Sequence, residues 1–355
     1  MVTQTGAGLT KRPSVSRISM QEVAQRAGVA AASVSRVLSG HPNVSDVMRN
    51  RVLDAVAALG YEPDLVAQSL RRGATMTVGF VVGDISNPVL SENALGAEIR
   101  LREAGYSMLL VNSMTDPQLD AEHIRLFAQR RVDGLLLSLA SEMSPGTLDA
   151  ISRAKLPVVL VDREISVHGA AISAVLGQHE MGVEAAVREL AAHGHRRIAL
   201  VNGPQDLRPA RVRANTLRRV ARLLGVTSVV RSGHFTAEHG EVATASLLAM
   251  PDRPTAIVAG SNQILVGVLR TIRRAGLRIP DDVSLVTCDN VPLAEFLTPP
   301  LATIERDHYL MGVIAASLLL ELLSGAPART QDVPTTFKSN ASVGPVPSAT
   351  PGPRE

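Results

Sequence analysis

The chain of 355 residues carries 36 lysines and arginines, 33 aspartates and glutamates, a single cysteine and only eight aromatic residues. Its length predicts two or three domains, and an apolar content of 45% excludes global disorder. One cysteine excludes an intrachain disulfide framework, and no apolar run reaches the roughly 20 residues that span a bilayer. These features predict a cytoplasmic protein without a membrane segment.

The net charge of +3 is unevenly distributed along the chain. Residues 1–75 hold nine basic and five acidic residues, a net charge of +4, so the remainder is at −1. A basic head on a neutral body favours nucleic-acid binding. An ordinary solvated surface would give the same pattern, so charge alone leaves both interpretations open.

The first elements in the chain are predicted to be helices. Residues 1–17 are polar and are expected to form a disordered tail. Ser19 and Glu22 then have the spacing of a capping box, and Gly28 is expected to end the first helix in the left-handed conformation. A second short helix follows, and Ser45 is expected to cap a third.

Helix, tight turn and helix together form the layout of a helix-turn-helix DNA-binding unit, here predicted over 18–63. Ala24 would be small because the second helix crosses the first there, and Val34 would anchor the second helix in the core. Pro63 and Asp64 open a fourth short segment, Leu65 to Arg71, before Gly73.

From Thr75 onward short apolar strands alternate with helices, which predicts parallel sheets with helices on both faces. Eight strand segments are visible in two sets: TVGFVVGD, YSMLLVN, VDGLLLSLA and LPVVLVDRE, then RRIALVNGP, VTSVVRSGHF, TAIVAGSNQ and DVSLVTCDN. Two successive sets indicate two lobes, and ligands on such sheets bind at the carboxyl ends of the strands. Residues 341–355 are rich in Pro, Ser, Gly and Thr and are predicted to form a disordered tail.

The stretches ISMQEVAQRAGVAAASVSRVL, NVS and YEPDLVAQSL closely resemble the lactose-repressor (LacI/GalR) family of bacterial transcription regulators. The resemblance covers residues 18–340. It implies an all-α helix-turn-helix head and an α/β two-lobed body like that of periplasmic binding proteins, with parallel, doubly wound sheets. It places lobe one at 76–177 and 307–324 and lobe two at 178–306 and 325–340, with the effector between them.

The resemblance also implies which residues contact DNA. The second helix would lie in the major groove, where Arg36 reads base edges or phosphates while small side chains contact thymine methyls or allow close approach. Residues 64–75 would form a hinge helix and linker, which could switch between disorder and helix because so short a helix is marginal in water. Leu70 of this hinge helix would enter the minor groove and kink the duplex, or else pack on the body. The residues implied are Ser19, Ala31, Ala32, Ser33, Ser35, Arg36, Asn43, Ser45, Ala67 and Leu70.

Departures from the family pattern concern both parts of the chain. Ala30 stands where the family usually has Ser or Thr, so the second helix is expected to lack its side-chain cap, at a cost of about 1 kcal/mol. In the cleft, Val89 and Leu90 stand where aromatics often stack on the ligand. Phe235 is then the only aromatic residue expected in the cleft.

The effector cleft implied by the resemblance is formed by Asp84, Asn87, Leu90, Asp162, Arg163, Arg213, Phe235, Asn262 and Asp289. A guanidinium fork and carboxylates together fix several hydroxyl groups, which makes a sugar or related metabolite the candidate effector. The scarcity of aromatics favours an alternative, in which the effector is unusual or the response is weak.

The sequence therefore predicts a sequence-specific DNA-binding transcription regulator, and a repressor is favoured. It is expected to act as a homodimer, because two heads must meet two half-sites of an operator. Phosphate-binding and nucleophile motifs are absent from the sequence, and Cys288 fits a buried, inert thiol, so no enzymatic activity, cofactor or metal is expected. The rival class is a solute-binding or enzymatic body. Induction and corepression both stay open.

Overall fold

The computed structural model describes residues 18–62, 73–289 and 296–346, and the chain divides into two compact units between Thr75 and Met76. The described part of the N-terminal unit forms the helices Met20–Ala27 (α1), Ala31–Leu38 (α2) and Asp46–Leu59 (α3). Ala67, Leu70 and most of the predicted hinge helix lie outside the described residues.

The predicted caps and turn of the N-terminal unit are confirmed. The Ser19 hydroxyl accepts from the backbone N–H of Glu22, while the Glu22 carboxylate accepts from the backbone N–H of Ser19 at 2.6 Å. Gly28 ends α1 with φ 62°, and the Ser45 hydroxyl accepts from the third N–H of α3. The core lies between the helices and comprises Val23, Ala24, Ala27, Val34, Val37, Val52, Ala55 and Tyr61.

The turn between α1 and α2 is held from α3 by a contact that the sequence did not reveal. The guanidinium of Arg51 donates to the carbonyl of Ala27 at 2.6 Å. A side chain at Gly28 would meet that guanidinium and would be strained at φ 62°. Part of the basic excess of the N-terminal region therefore serves the fold.

The body alternates strands and helices along the chain. The first set comprises Thr77–Val82 (β1), Pro88–Glu103 (α4), Ser107–Asn112 (β2), Pro117–Gln129 (α5), Gly134–Leu137 (β3), Pro145–Ala154 (α6), Val158–Val161 (β4) and Ile172–Gln178 (β5). The second comprises His179–Ala192 (α7), Arg197–Asn202 (β6), Arg208–Leu223 (α8), Thr227–Ser232 (β7), Ala237–Leu248 (α9), Ala256–Ala259 (β8), Asn262–Arg274 (α10) and Ser284–Cys288 (β9). The last comprises Ala302–Glu305 (β10), His308–Leu323 (α11), Thr330–Pro334 (β11) and Thr336–Lys338 (β12).

These strands form two six-stranded sheets, one in each lobe, in the orders β11-β5-β4-β3-β1-β2 and β12-β10-β9-β8-β6-β7. All pairs are parallel except β12 with β10. Each sheet has a buried apolar cluster on both faces, which is why runs such as GLLL in β3 and VVLV in β4 are apolar at every position. The predicted fold class is confirmed.

Two predicted boundaries near the C-terminus are wrong. The segment 325–340 was assigned to lobe two, but β11 pairs in parallel with β5 of lobe one, so only β12 joins lobe two. The predicted disordered tail also starts too early, because Ser342 is fully buried and its hydroxyl accepts from the backbone N–H of Ala302 and donates to the carbonyl of Leu285. The family resemblance implied the first boundary and polar composition the second, and neither reveals the hydrogen bonds that hold these segments to distant strands.

Cys288 and His195 have reactive side chains, and both are buried in the fold. Cys288 is buried, and burial raises the pKa of its thiol, as expected for an inert cysteine. His195 is fully buried, and its ring contacts Thr255 Oγ1, Ser284 Oγ and the Gly344 carbonyl at 2.8, 3.0 and 3.1 Å. Within the described ranges, no cluster of His, Cys, Asp and Glu could hold a metal ion, and no helix is long and apolar enough to cross a membrane.

Candidate functional sites

The predicted DNA-contacting residues lie on the exposed side of α2. Val34 and Val37 face the core, whereas Ala32 and Arg36, four residues apart, are exposed on the other side. Ala31, Ser33 and Ser35 are half-buried beside them. The helix therefore presents one long cationic side chain among small ones, an arrangement that allows close approach to a groove.

The other predicted contacts surround this helix. Ser19 and Ser45 are exposed and cap α1 and α3, and Asn43 is exposed in the loop before α3. The start of α2 has no side-chain cap, because Ala30 occupies that position with φ −71° and ψ 149°. The uncapped start predicted from Ala30 is thereby confirmed.

All nine predicted cleft residues line a single cavity of about 190 Å³ between the two lobes. Asp84, Asn87 and Leu90 come from the end of β1 and the first turn of α4, and Asp162 and Arg163 follow β4. From lobe two come Arg213 on α8, Phe235 after β7, Asn262 at the start of α10 and Asp289 after β9. The carboxyl ends of the strands of both lobes thus face one space, as the topology requires.

Phe235 is the only aromatic residue among the described residues of the cavity wall, as predicted. Its ring packs against Gly203, where any side chain would overlap it. The rest of the wall is aliphatic or polar. A ligand in this cavity would stack on one ring and otherwise make polar contacts.

The rim of the cavity joins the two lobes directly. The Asn262 side-chain amide donates to Asn87 Oδ1 at 2.8 Å, and Gln263 donates to Asp84 Oδ2 at 3.3 Å. The same Asn87 oxygen accepts from the backbone N–H of Val89 and caps α4. Residues predicted to bind the effector therefore also bind each other across the cleft.

The floor of the cavity contains two equivalent aspartates. Asp162 directly follows β4 and Asp289 directly follows β9, and these strands hold the same place in the order of their sheets. Both have left-handed backbone conformations, with φ 54° and 71°. Such conformations are costly for non-glycine residues and are concentrated at functional sites.

Arg306 bridges the two aspartates. It lies between β10 of lobe two and α11 of lobe one, with Nη1 3.3 Å from Asp162 and Nη2 3.4 Å from Asp289. Arg213 Nη2 lies 3.8 Å from Asp289 and Arg208 Nη1 3.5 Å from Asp162. The carboxylates of both lobes are therefore charge-paired through one guanidinium at the crossing between lobes.

The protonation states follow from this pairing. Burial alone would raise the pKa of Asp162, but His179 and Arg306 beside it hold the pKa well below its usual value. Burial, opposed by Asp162, lowers the pKa of His179 to about 4, and burial and Arg306 lower that of His308 to about 4. At neutral pH the floor thus holds ionised carboxylates, charged arginines and neutral histidines.

Sequence reasoning missed Arg306, His179 and His308. They belong to the crossings between the lobes, at the junctions of β5 with α7 and of β10 with α11. The rule that ligands sit at carboxyl ends of strands would have found Arg306 if β10 had been recognised as a strand. Its four residues ATIE gave too short an apolar run.

A three-helix unit with an exposed recognition face and a two-lobed body with a polar cleft, combined in one chain, define the class of ligand-responsive DNA-binding regulators. Comparison with known proteins gives the family. Residues 19–64 match the family described as bacterial regulatory proteins, lacI family, and residues 187–343 match the periplasmic binding protein-like domain. The chain belongs to the LacI family.

Individual relatives agree along most of the chain. The HTH-type transcriptional repressor PurR of Photobacterium profundum is 31% identical over 306 residues, covering 85% of this chain and 91% of that protein. The ribose operon repressor of Escherichia coli (strain K12) is 31% identical over 321 residues, covering 89% and 96%. The crystal structure of the lac repressor dimer bound to operator and the anti-inducer ONPF matches with a TM-score of 0.81 at 25% identity, covering 92% of this chain and 99% of that one.

Proposed function

We propose that this protein is a transcriptional repressor that binds operator DNA as a homodimer through α2 and responds to a small polyhydroxylated molecule bound between the lobes of its body. The observation that carries the proposal is the convergence on one cavity wall of the nine residues that the family resemblance implies. Asp162, Arg163, Arg213 and Asp289 supply carboxylates and guanidinium groups suited to hydroxyls, and Phe235 supplies one stacking surface. Because operator DNA is the partner, the site of action is the bacterial nucleoid.

The DNA contacts belong to the same proposal. Arg36 reads the base edges, Ala31 and Ala32 permit close approach, and Ser19, Ser33, Ser35, Asn43 and Ser45 meet the phosphate backbone. Outside the described residues, family resemblance assigns Leu70 to the minor groove and Ala67 to the DNA contacts. The relatives support the class, since PurR and the ribose operon repressor are both named repressors.

We further infer that the cleft binds its ligand without chemical conversion. The carboxylates of Asp162 and Asp289 have pKa values below the ordinary range and are held in ion pairs, and the pKa values of the buried His179 and His308 beside them lie near 4. General acid–base catalysis near neutral pH needs a group with a pKa close to 7. These four groups therefore do not suit that role, which argues against the rival enzymatic interpretation.

The test begins with selection of bound fragments from genomic DNA by the full chain. The selected fragment is then titrated with protein in the presence of D-ribose, other neutral monosaccharides and nucleosides at millimolar concentration. The proposal is supported if the chain binds one near-palindromic site and one ligand alters the affinity for that site. In the Arg213→Ala variant the same ligand should leave the affinity unaltered. Failure to enrich any site, or conversion of the ligand detected by mass spectrometry, contradicts it.

A further inference from the structure

One contact between the lobes lies outside the effector cavity and centres on Glu142. This residue belongs to the loop between β3 and α6 of lobe one, and its side chain is only 3% exposed. Its Oε1 accepts from the backbone N–H of Arg208 at 2.8 Å and its Oε2 from the Arg211 guanidinium at 3.1 Å. Both donors belong to α8 of lobe two.

The sequence of α8 explains why it needs a partner from the other lobe. Leu207 occupies the N-cap position of α8 and has no side-chain acceptor, so the first N–H of the helix has no local cap. The carboxylate of Glu142 supplies the missing acceptor and also places a negative charge at the positive end of the helix dipole. Lobe one thereby caps a helix of lobe two.

Neighbouring contacts reinforce this position. The Ser141 hydroxyl donates to Asp206 Oδ2 at 2.7 Å, again from lobe one to lobe two. Within lobe one, the backbone N–H of Glu164 donates to Glu142 Oε1 at 3.1 Å and fixes the orientation of the carboxylate. When the lobes separate, the Glu142 carboxylate loses or strains its contacts with Arg208 and Arg211. It keeps only the hydrogen bond from the backbone N–H of Glu164.

The hydrogen bonds at the rim of the cavity and the contacts of Glu142 both join the lobes, but a ligand affects them differently. Asn87, Asn262 and Asp84 line the cavity, so a ligand competes for their hydrogen bonds. Ser141, Glu142 and Arg211 are absent from its wall, so their contacts are available with or without a ligand. Closure of the lobes thus has a ligand-independent contribution.

We propose that Glu142 is a clasp between the lobes, a positioning residue that sets the balance of open and closed body and through it the effector response, without touching the effector. The influence on the effector response rests on the proposed function, whereas the role of Glu142 in holding the lobes together does not. Loss of the carboxylate leaves the Arg208 N–H uncapped and Arg211 without its buried partner. The closed population of the ligand-free body then falls about tenfold relative to the open one.

The test measures the distance between lobes in the full chain without ligand or DNA. Dyes are attached at Ser152→Cys on α6 and Leu223→Cys on α8, both exposed, while the buried native Cys288 stays unlabelled. Labelled protein is mixed with excess unlabelled protein so that energy transfer occurs within one subunit. Single-molecule transfer then gives the populations of open and closed bodies.

Glu142→Ala is expected to move molecules to low transfer, and Glu142→Gln, which keeps an acceptor but loses the charge, to give an intermediate population. The matched control is Glu184→Ala, because Glu184 also pairs with two arginines, Arg188 and Arg219, but entirely within lobe two. Unchanged transfer for both Glu142 variants overturns the proposal, as does an equal change for Glu184→Ala. If Glu142→Ala fails to fold, Glu142→Gln and Arg211→Ala decide the question.

Operator binding separates this proposal from the function on which its last part rests. The same variants are titrated against the selected operator fragment. Altered transfer with altered operator affinity supports the full proposal, whereas altered transfer with unchanged operator affinity overturns the regulatory part. If no operator is selected at all, the proposed function fails, while the transfer measurement still decides whether Glu142 is a clasp.

Discussion

The recognition face of α2 and the effector cleft organise their functional side chains in opposite ways. On α2 the predicted contacts Ala32 and Arg36 are exposed, and the fold depends instead on the opposite side, where Val34 is fully buried. In the cleft the predicted contacts Asp162 and Asp289 are buried and are paired with each other through Arg306. Substitutions on α2 should therefore change function alone, whereas substitutions in the cleft should change function and stability together.

The largest effect is expected at Asp162. Asp162→Ala removes a buried carboxylate and leaves Arg208 without its ion-pair partner and Arg306 paired with Asp289 alone, which should lower the free energy of unfolding by about 3–5 kcal/mol. Urea denaturation followed by circular dichroism measures it. The control is Asp149→Ala, whose exposed pair with Arg153 should contribute less than about 1 kcal/mol. Equal losses for the two variants would show that the floor network contributes no net stability.

The second prediction concerns pH and again separates the cleft from α2. His179 and His308 have pKa values of about 4 when folded against an ordinary 6.5, so below pH 6.5 the unfolded chain binds more protons than the folded one. Their stabilising contribution, roughly 3 kcal/mol each at most, is complete above pH 6.5 and is lost as the pH falls towards 4. His179→Gln should flatten the decline in unfolding free energy over this window. The exposed His168→Gln should leave it unchanged, and an identical slope for all three proteins would contradict the assignment.

The contrast between the two sites also explains what the sequence could predict. The nine cleft residues were implied by the family resemblance, and each lies at a strand end or in the first turns of a helix, where the general rule for parallel sheets places ligands. Strand β11, with the sequence TQDVP, has one buried residue and lies against β5, more than 150 residues earlier in the chain. Glu142 and Arg306 act through contacts between lobes, and such contacts leave no local pattern. Pairing between distant segments was therefore missed, while local capping and periodicity were read correctly.

The third prediction tests the exposed side of the comparison. Arg36→Ala should weaken binding to the selected operator by about 10–100-fold, because an arginine contact to a base edge is worth roughly 1–3 kcal/mol. The free energy of unfolding should stay within about 0.5 kcal/mol of the parent, since the side chain is exposed. Arg26→Ala on α1 is the control for charge, because Arg26 is also exposed. Equal losses of operator affinity for both variants, or similar losses of affinity for non-specific DNA, would show that Arg36 makes only a non-specific phosphate contact.

The smallest expected effect is a gain in stability at the start of α2. Ala30 already has the extended backbone of an N-cap residue, φ −71° and ψ 149°, and lacks only an acceptor for the first N–H groups of the helix. Ala30→Ser supplies that acceptor and should raise the free energy of unfolding of the N-terminal unit by about 0.5–2 kcal/mol, whereas Ala30→Gly, without an acceptor, should not. Circular dichroism melts of the full chain and of both variants measure the change. Because the exposed Ala30 is not among the residues that hold α2 in the core, a stabilised Ala30→Ser variant should keep operator affinity or improve it through an added phosphate contact. A stabilised variant with reduced operator affinity would show that stability and function are coupled on α2 as they are in the cleft, and the distinction between the two sites would fail.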